Sequence, residues 1–169
     1  MLRTGAEFDP TGKYRFRLWR RWRRAGPAAV FIMLNPSTAD AQRNDPTVRR
    51  CIGFAHDWGY AGVEVVNIFA LRSTLPAALL AIRDPVGPGN DRRILAAARR
   101  AHRAGAPVVA AWGNHGALHG RGGAVLGYLD GAGIAPVTFG LTGAGHPRHP
   151  LYTPAAATLT PVPIPLQSA

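Results

Sequence analysis

The amino-acid sequence predicts a single α/β domain built as a three-layer sandwich, with a mainly parallel four-stranded central sheet flanked by helices. Continuous apolar runs of strand length stop abruptly at polar loops, as buried parallel strands do. Segments with apolar residues at helical spacing alternate with these runs, which is typical of a sheet covered on both faces. The predicted domain spans residues 1–169, of which 154–169 form a proline-rich tail.

The predicted core strands are apolar runs that end at polar residues. The first run, AAVFIML, stops at Asn35-Pro36, and the second, VEVVNIF, leads into another polar loop. We expect core strands at residues 28–34, 63–69, 108–112 and 137–141, and a basic strand or hairpin at 14–24.

The predicted helices have recognisable ends. Pro46 suits a first helical position, and Gly59 suits the residue just after a helix. Ile94, Leu95 and Ala98 recur at helical spacing. We expect helices at residues 46–58, 76–82, 91–104 and 123–130.

The charge balance favours a polyanionic partner. The chain has 20 Lys and Arg against 9 Asp and Glu, which gives a net charge of +11, and Lys13 is the only lysine. Arginine grips phosphate through a planar fork, and six arginines between residues 15 and 24 are interleaved with Trp19 and Trp22. The alternatives are a general solubility charge, or an edge strand whose arginines prevent pairing with other chains.

The remaining composition limits where the protein is expected to be located and which metal or cofactor sites it could form. Cys51 is the sole cysteine, so no internal disulfide and no cysteine-ligated metal cluster can form. No signal peptide and no apolar stretch long enough to span a membrane is present, and we expect a cytoplasmic monomer. His115 and His119 are four apart, but glycines weaken any helix there, and we expect no metal and no cofactor.

Polar residues stand at the carboxyl end of every predicted core strand. In open α/β sheets, ligands bind in the crevice beyond these ends. The sequence therefore predicts a shared site at that edge of the sheet. Its candidate residues are Asn35, Asn67, Asn114 with His115, and His146 with His149.

Six short motifs resemble those of a family known only as a domain of unknown function. They are LNPSTAD at 34–40, DPT at 45–47, WGY at 58–60, NIFA at 67–70, AWG at 111–113 and HPLY at 149–152. Together they span nearly the whole domain. This resemblance implies a family and supplies no function by itself.

Four motifs, in the same order on the strand ends, resemble those of the uracil-DNA glycosylase superfamily. They are MLNP at 33–36, VVN at 65–67, AWG at 111–113 and HPRHPLY at 146–152. The first lacks the glycine that precedes N-P in that superfamily, and the last is one residue longer. The resemblance implies a uracil-DNA glycosylase-like fold. It also implies a DNA repair hydrolase that flips a damaged or deaminated, uracil-type base and cleaves its N-glycosidic bond.

The resemblance and the chemistry of the side chains suggest a role for each candidate. Asn35 would orient the attacking water, with Asp40 or Asp45 as an alternative carboxylate, and Asn67 would read the base edge. His149 or His146 would donate a hydrogen bond to the leaving base. Further candidates for contacts with the substrate are Pro36, Ser37, Phe54, Phe69, Asn114, Leu151 and Tyr152. Candidates for contacts with the DNA backbone are Arg43, Arg72, Ser73 and Arg148.

Each candidate also has a structural interpretation. Asn35 could be a turn residue, and Asn67 could hold a loop backbone. The aromatic candidates and Leu151 could belong to the core. For the protein as a whole, the alternatives are a non-catalytic module that binds a modified base or DNA, and an enzyme acting on free nucleosides or nucleotides.

Overall fold

A computed structural model describes residues 1–163 of the chain. The strands are β1 (Arg3–Phe8), β2 (Arg15–Arg21), β3 (Ala28–Met33), β4 (Gly62–Asn67), β5 (Val108–Ala110), β6 (Val137–Thr138) and β7 (Thr160–Pro161). The α-helices are α1 (Pro46–Asp57), α2 (Ala78–Ala81), α3 (Asn90–Arg103) and α4 (Arg121–Gly131). Two 3-10 segments cover Asn114–Gly120 and Pro150–Tyr152.

The strands form one mixed sheet of seven strands in the order β1-β2-β4-β3-β5-β6-β7. The β4/β3, β3/β5 and β5/β6 pairs are parallel, whereas β1/β2, β2/β4 and β6/β7 are antiparallel. The fold is therefore a mixed α/β fold, and its sheet is larger than the mainly parallel four-stranded sheet predicted from the sequence. The two outermost strands were missed because β1 has few apolar residues and β7 lies inside the proline-rich segment.

The central strands are buried on both faces. Successive residues of β3 alternate between two apolar clusters: Ile32 packs with residues of α3 and α4, and Phe31 packs with residues of α1. Helices thus cover opposite faces of the sheet. This two-sided burial explains the continuous apolar run in the sequence, because a strand with one solvated face would alternate with polar residues.

The basic segment at residues 14–24 contains strand β2, and two of its six arginines, Arg15 and Arg20, are buried inside the protein. β2 is an interior strand, paired with β1 and β4, so the edge-strand interpretation is wrong. Arg20 is buried and donates hydrogen bonds to backbone carbonyls of Gly5, Trp19, Asp40 and Arg43. Such bonds tie β2 to the loop before α1 and remove Arg20 from any nucleic-acid surface.

The two ends of α1 match the sequence prediction closely. Asp45 caps the amino terminus, where its Oδ1 accepts a hydrogen bond from the N–H of Val48 at 2.8 Å, and Pro46 occupies the first turn.

None of the helices within residues 1–163 has the length and apolar character needed to cross a membrane.

Candidate functional site

A cleft of about 680 Å³ opens at the carboxyl ends of β3 and β4. This volume lies within the usual range for sites that bind small molecules. The structure brings together a large part of the predicted site there. The predicted residues that line the cleft are Asn35, Ser37, Asp45, Asn67, Ser73, Asn114, His115, Arg148, His149, Leu151 and Tyr152.

Asn35 lies just past the end of β3 and is fixed by its amide nitrogen. Nδ2 donates to the carbonyls of Ser73 at 2.9 Å, Pro36 at 3.1 Å and Leu71 at 3.4 Å. These bonds support the loop and also set the orientation of the amide. The side-chain oxygen has no recorded partner among the described residues, and it is the atom left to bind a ligand or water.

Asn67 is the last residue of β4 and is only 2% exposed. It pairs in the parallel ladder with Met33, which is two residues before Asn35 in the chain. The Oδ1 of Asn67 is buried and finds no hydrogen-bond partner within residues 1–163. Asn67 lines the cleft, and a buried polar atom without a partner costs about 1–3 kcal/mol.

Arg15 is a site residue that the sequence analysis assigned only to the basic segment. It is 2% exposed and lines the cleft; its Nη1 donates to the carbonyl of Ala39 at 2.7 Å, while its Nε has no partner among the described residues. Burial lowers the pKa of Arg15 to about 10, against the opposing charge of Asp45. The guanidinium therefore stays charged at neutral pH and presents an unused donor. No local sequence signal separates it from its exposed neighbours.

Asp45, rather than Asp40, supplies the carboxylate in the cleft. Asp40 lies outside the lining, where its Oδ1 accepts from the N–H groups of Arg43 and Gln42, and these bonds lower its pKa. Asp40 therefore stabilises the loop before α1, the loop whose carbonyls accept hydrogen bonds from Arg20 of β2. The sequence left both aspartates open because both lie in the polar stretch at residues 37–45 that follows the first core strand.

His149 lines the cleft and His146 does not. The Nδ1 of His149 accepts a hydrogen bond from the N–H of Leu151 at 3.2 Å, which leaves Nε2 as the position for the proton of a neutral ring. Burial lowers the pKa of His149 below its usual value, and the nearby charge of Asp45 only partly opposes this effect. At neutral pH the ring is an uncharged donor.

This arrangement predicts a pH effect on stability. Because the folded protein lowers the pKa of His149, its contribution to the free energy of unfolding is complete above about pH 6.5 and is lost as the pH falls through the lowered pKa. We expect His149→Asn, which keeps a capping acceptor but does not titrate, to lose less stability over this range. Urea denaturation at several pH values measures the difference, and identical profiles for the two proteins would contradict it.

The loop after β5 places His149 beside the strand ends. The N–H of Gly113 donates to the carbonyl of Pro147 at 2.8 Å, and Gly113 adopts a φ of 73°, which favours glycine. The carbonyl of His149 accepts from the hydroxyl of Thr153 at 3.0 Å. Arg50 of α1 donates to the carbonyl of Thr153 and so anchors the same segment. These hydrogen bonds to backbone carbonyls hold the segment that carries His149 beside the strand ends.

Leu151 and Tyr152 stand at the rim of the cleft. Their exposed fractions are 44% and 82%, so the interpretation of both as core anchors is wrong. Large exposed apolar side chains beside a cleft suit contact with a flat or apolar partner, such as a base stack.

Several predicted site residues lie away from the cleft lining. Phe54 stacks on Trp58 and makes a tilted contact with Phe139 in the α1 face of the core, and Phe69 is fully buried in the other cluster. Their apolar environment explains this placement, since aromatic residues in helices and next to strands usually serve the core. The others outside the lining are Pro36, Asp40, Arg43, Arg72 and His146.

A comparison with protein families matches residues 15–151 to a family described as "Protein of unknown function (DUF1643)". No curated protein and no solved structure matches the chain. The resemblance to the uracil-DNA glycosylase superfamily therefore rests on the sequence motifs alone.

Proposed function

The chain belongs to the DUF1643 family, and we propose that it is a hydrolase that binds an extruded nucleobase in the cleft and cleaves its N-glycosidic bond. The substrate we propose is a deaminated, uracil-type base in DNA, and the reaction needs no cofactor. The observation that carries this proposal is the unpartnered, buried Oδ1 of Asn67 on the wall of the cleft. A ligand with a matching donor would satisfy it.

The base edge fits the polar atoms that line the cleft. Asn67 offers an acceptor and two donors on one plane, which complements the ring N–H and a carbonyl of uracil. Arg15 adds an unpartnered donor, its Nε–H, from the adjoining strand β2. A donor and an acceptor held rigidly in a buried wall discriminate strongly, because a mismatched base would leave them without partners.

The bond-breaking step assigns one task to each remaining group. The C1′–N bond breaks with its electron pair going to the base, where the Nε2–H of His149 donates to a carbonyl that gains negative charge. The water oxygen bonds to C1′ and its proton passes by way of Asp45 to the departing base. Asn35 holds that water through its free oxygen. His149, Asp45 and Asn35 all line the cleft, which the attacking water would enter.

The motif order supports this proposal from the sequence side. Asn35, Asn67 and His149 match the superfamily positions for water, base edge and leaving group, and all three line one cleft. The chain departs from the superfamily motifs at two points: it lacks the glycine before Asn35, and it has one extra residue in the final loop.

A second candidate is an enzyme for free nucleotides. Arg148 is the only exposed arginine among the residues that line the cleft, although the chain carries a net charge of +11. A cleft with few exposed cations suits the single phosphate of a nucleotide as well as a nucleic-acid strand. The salt dependence of binding distinguishes the two candidates, because a protein that binds a duplex loses affinity steeply as salt rises and a nucleotide enzyme hardly responds.

The test is a panel of oligonucleotides that contain uracil, hypoxanthine or a mismatched thymine, single- and double-stranded. We expect abasic sites, revealed as strand breaks after alkali, at uracil-type bases. Asn35→Ala protein prepared in the same way controls for contaminating glycosylases. Release of base from free nucleotides alone would favour the second candidate. Tight retention of a modified base without breaks would favour a binding module.

A further inference from the structure

A second cavity, of about 350 Å³, lies at the other end of the sheet. Its lining is Leu2 with four arginines, Arg3, Arg21, Arg23 and Arg24. Arg21 pairs with Gly62, the first residue of β4, whereas the cleft is at the last residue of that strand. The length of β4 therefore separates the two sites by roughly 17 Å.

The arginines of this cavity face one another without a counter-charge. Arg3 and Arg21 are directly opposite in the antiparallel ladder between β1 and β2, an arrangement of like charges that costs stability. Within residues 1–163, no carboxylate makes a salt bridge with any of the four arginines. An anion in the cavity would relieve this repulsion.

Two of the arginines are held in place by backbone carbonyls. The Nη2 of Arg21 donates to the carbonyl of Gly26 at 2.8 Å, and the Nη1 of Arg23 donates to the carbonyl of Gly59 at 3.1 Å. Each guanidinium keeps further N–H groups for a ligand. A fork held in this way loses less conformational freedom when it binds phosphate than a free side chain would.

We propose that Arg3, Arg21, Arg23 and Arg24 bind the phosphodiester backbone of a nucleic acid. The identity of the partner rests on the proposed function. The four arginines bind the DNA strand whose extruded base lies in the cleft, at a distance from that base. Successive phosphates of one strand are about 3.4 Å apart along a duplex. A separation of roughly 17 Å therefore puts the contact about five base pairs from the base in the cleft.

The experiment compares two charge-reversal variants with the same change in net charge. Arg3→Glu/Arg24→Glu alters the cavity, and neither side chain makes a hydrogen bond to another part of residues 1–163. Arg92→Glu/Arg99→Glu on the exposed face of α3 is the matched control, because both arginines lie outside the two cavities. Binding of an undamaged fluorescent duplex is measured at several salt concentrations, with inorganic pyrophosphate as a competitor.

We expect the cavity variant to lower duplex affinity by about tenfold or more and to reduce the salt slope by about 2. The control should change affinity by less than about threefold. Equal losses in both variants, or no loss in either, would overturn the proposal. Displacement of the duplex by equimolar pyrophosphate would show a site for free phosphate instead. Since no excision is measured, a failed glycosylase assay leaves this test unaffected.

Discussion

Replacement of Asn35 by alanine is expected to lower the single-turnover rate of uracil excision by about 100- to 1,000-fold. The loss of one polar group that acts in the transition state commonly has this effect. In the proposed reaction the free oxygen of Asn35 orients the attacking water, while its amide nitrogen is engaged by loop carbonyls. The rate is measured with enzyme in excess over a labelled uracil-containing duplex.

Asn35→Asp separates the two roles of this side chain. Aspartate keeps an oxygen for the water but removes the donors to the carbonyls of Ser73 and Pro36. If the oxygen matters for catalysis, the aspartate variant retains more activity than the alanine variant despite a weakened loop. Equal loss of activity together with equal loss of thermal stability would show that Asn35 only supports the loop.

Replacement of Asn67 by aspartate is expected to lower uracil excision by about 100-fold and to shift residual activity toward cytosine. The amide N–H of Asn67 faces a carbonyl of the base in the proposed complex, and its oxygen faces the ring N–H. Aspartate has only acceptors, which repel the uracil carbonyl and suit the amino group of cytosine. A buried polar group without its partner costs about 1–3 kcal/mol, and more when charged.

Asn90 provides the matched control for this substitution. It is also buried, with an unpartnered Oδ1, but it lies outside the cleft lining, and its Nδ2 donates to the backbone carbonyl of Asn67 at 2.9 Å. Asn90→Asp should lower stability without changing the preference between bases. Rates on matched oligonucleotides that differ only at the target base measure that preference. An equal fall on every base in the Asn67 variant would contradict the proposed reading role.

The helices and central strands could be predicted because their signals are local. The apolar run of β3 reports burial on both faces, and Asp45 with Pro46 marks the start of α1. The edge strands could not be predicted, because β1 has few apolar residues and β7 lies inside the proline-rich segment. Short polar or proline-containing segments carry little pattern of their own.

The candidate site was predicted in outline and incompletely in detail. The convergence of Asn35, Asn67 and a histidine follows from their positions at strand ends. Arg15 was missed as a cleft residue, because the sequence does not distinguish a buried arginine from its exposed neighbours in the same basic segment. Phe54 was assigned to the substrate and instead packs in the core, because the sequence does not say toward which neighbour an aromatic ring turns.

The sequence by itself determined an α/β fold with polar residues gathered at one edge of its sheet, since periodicity and strand ends are local properties. Only the tertiary structure decided that His149, and not His146, reaches the cleft, because the bond from Gly113 to Pro147 places that loop. The tertiary structure also decided which arginines are exposed. Arg20 is buried and donates hydrogen bonds to backbone carbonyls, whereas Arg3 and Arg24 are exposed. Only contacts between segments that are separate in the sequence distinguish these arginines.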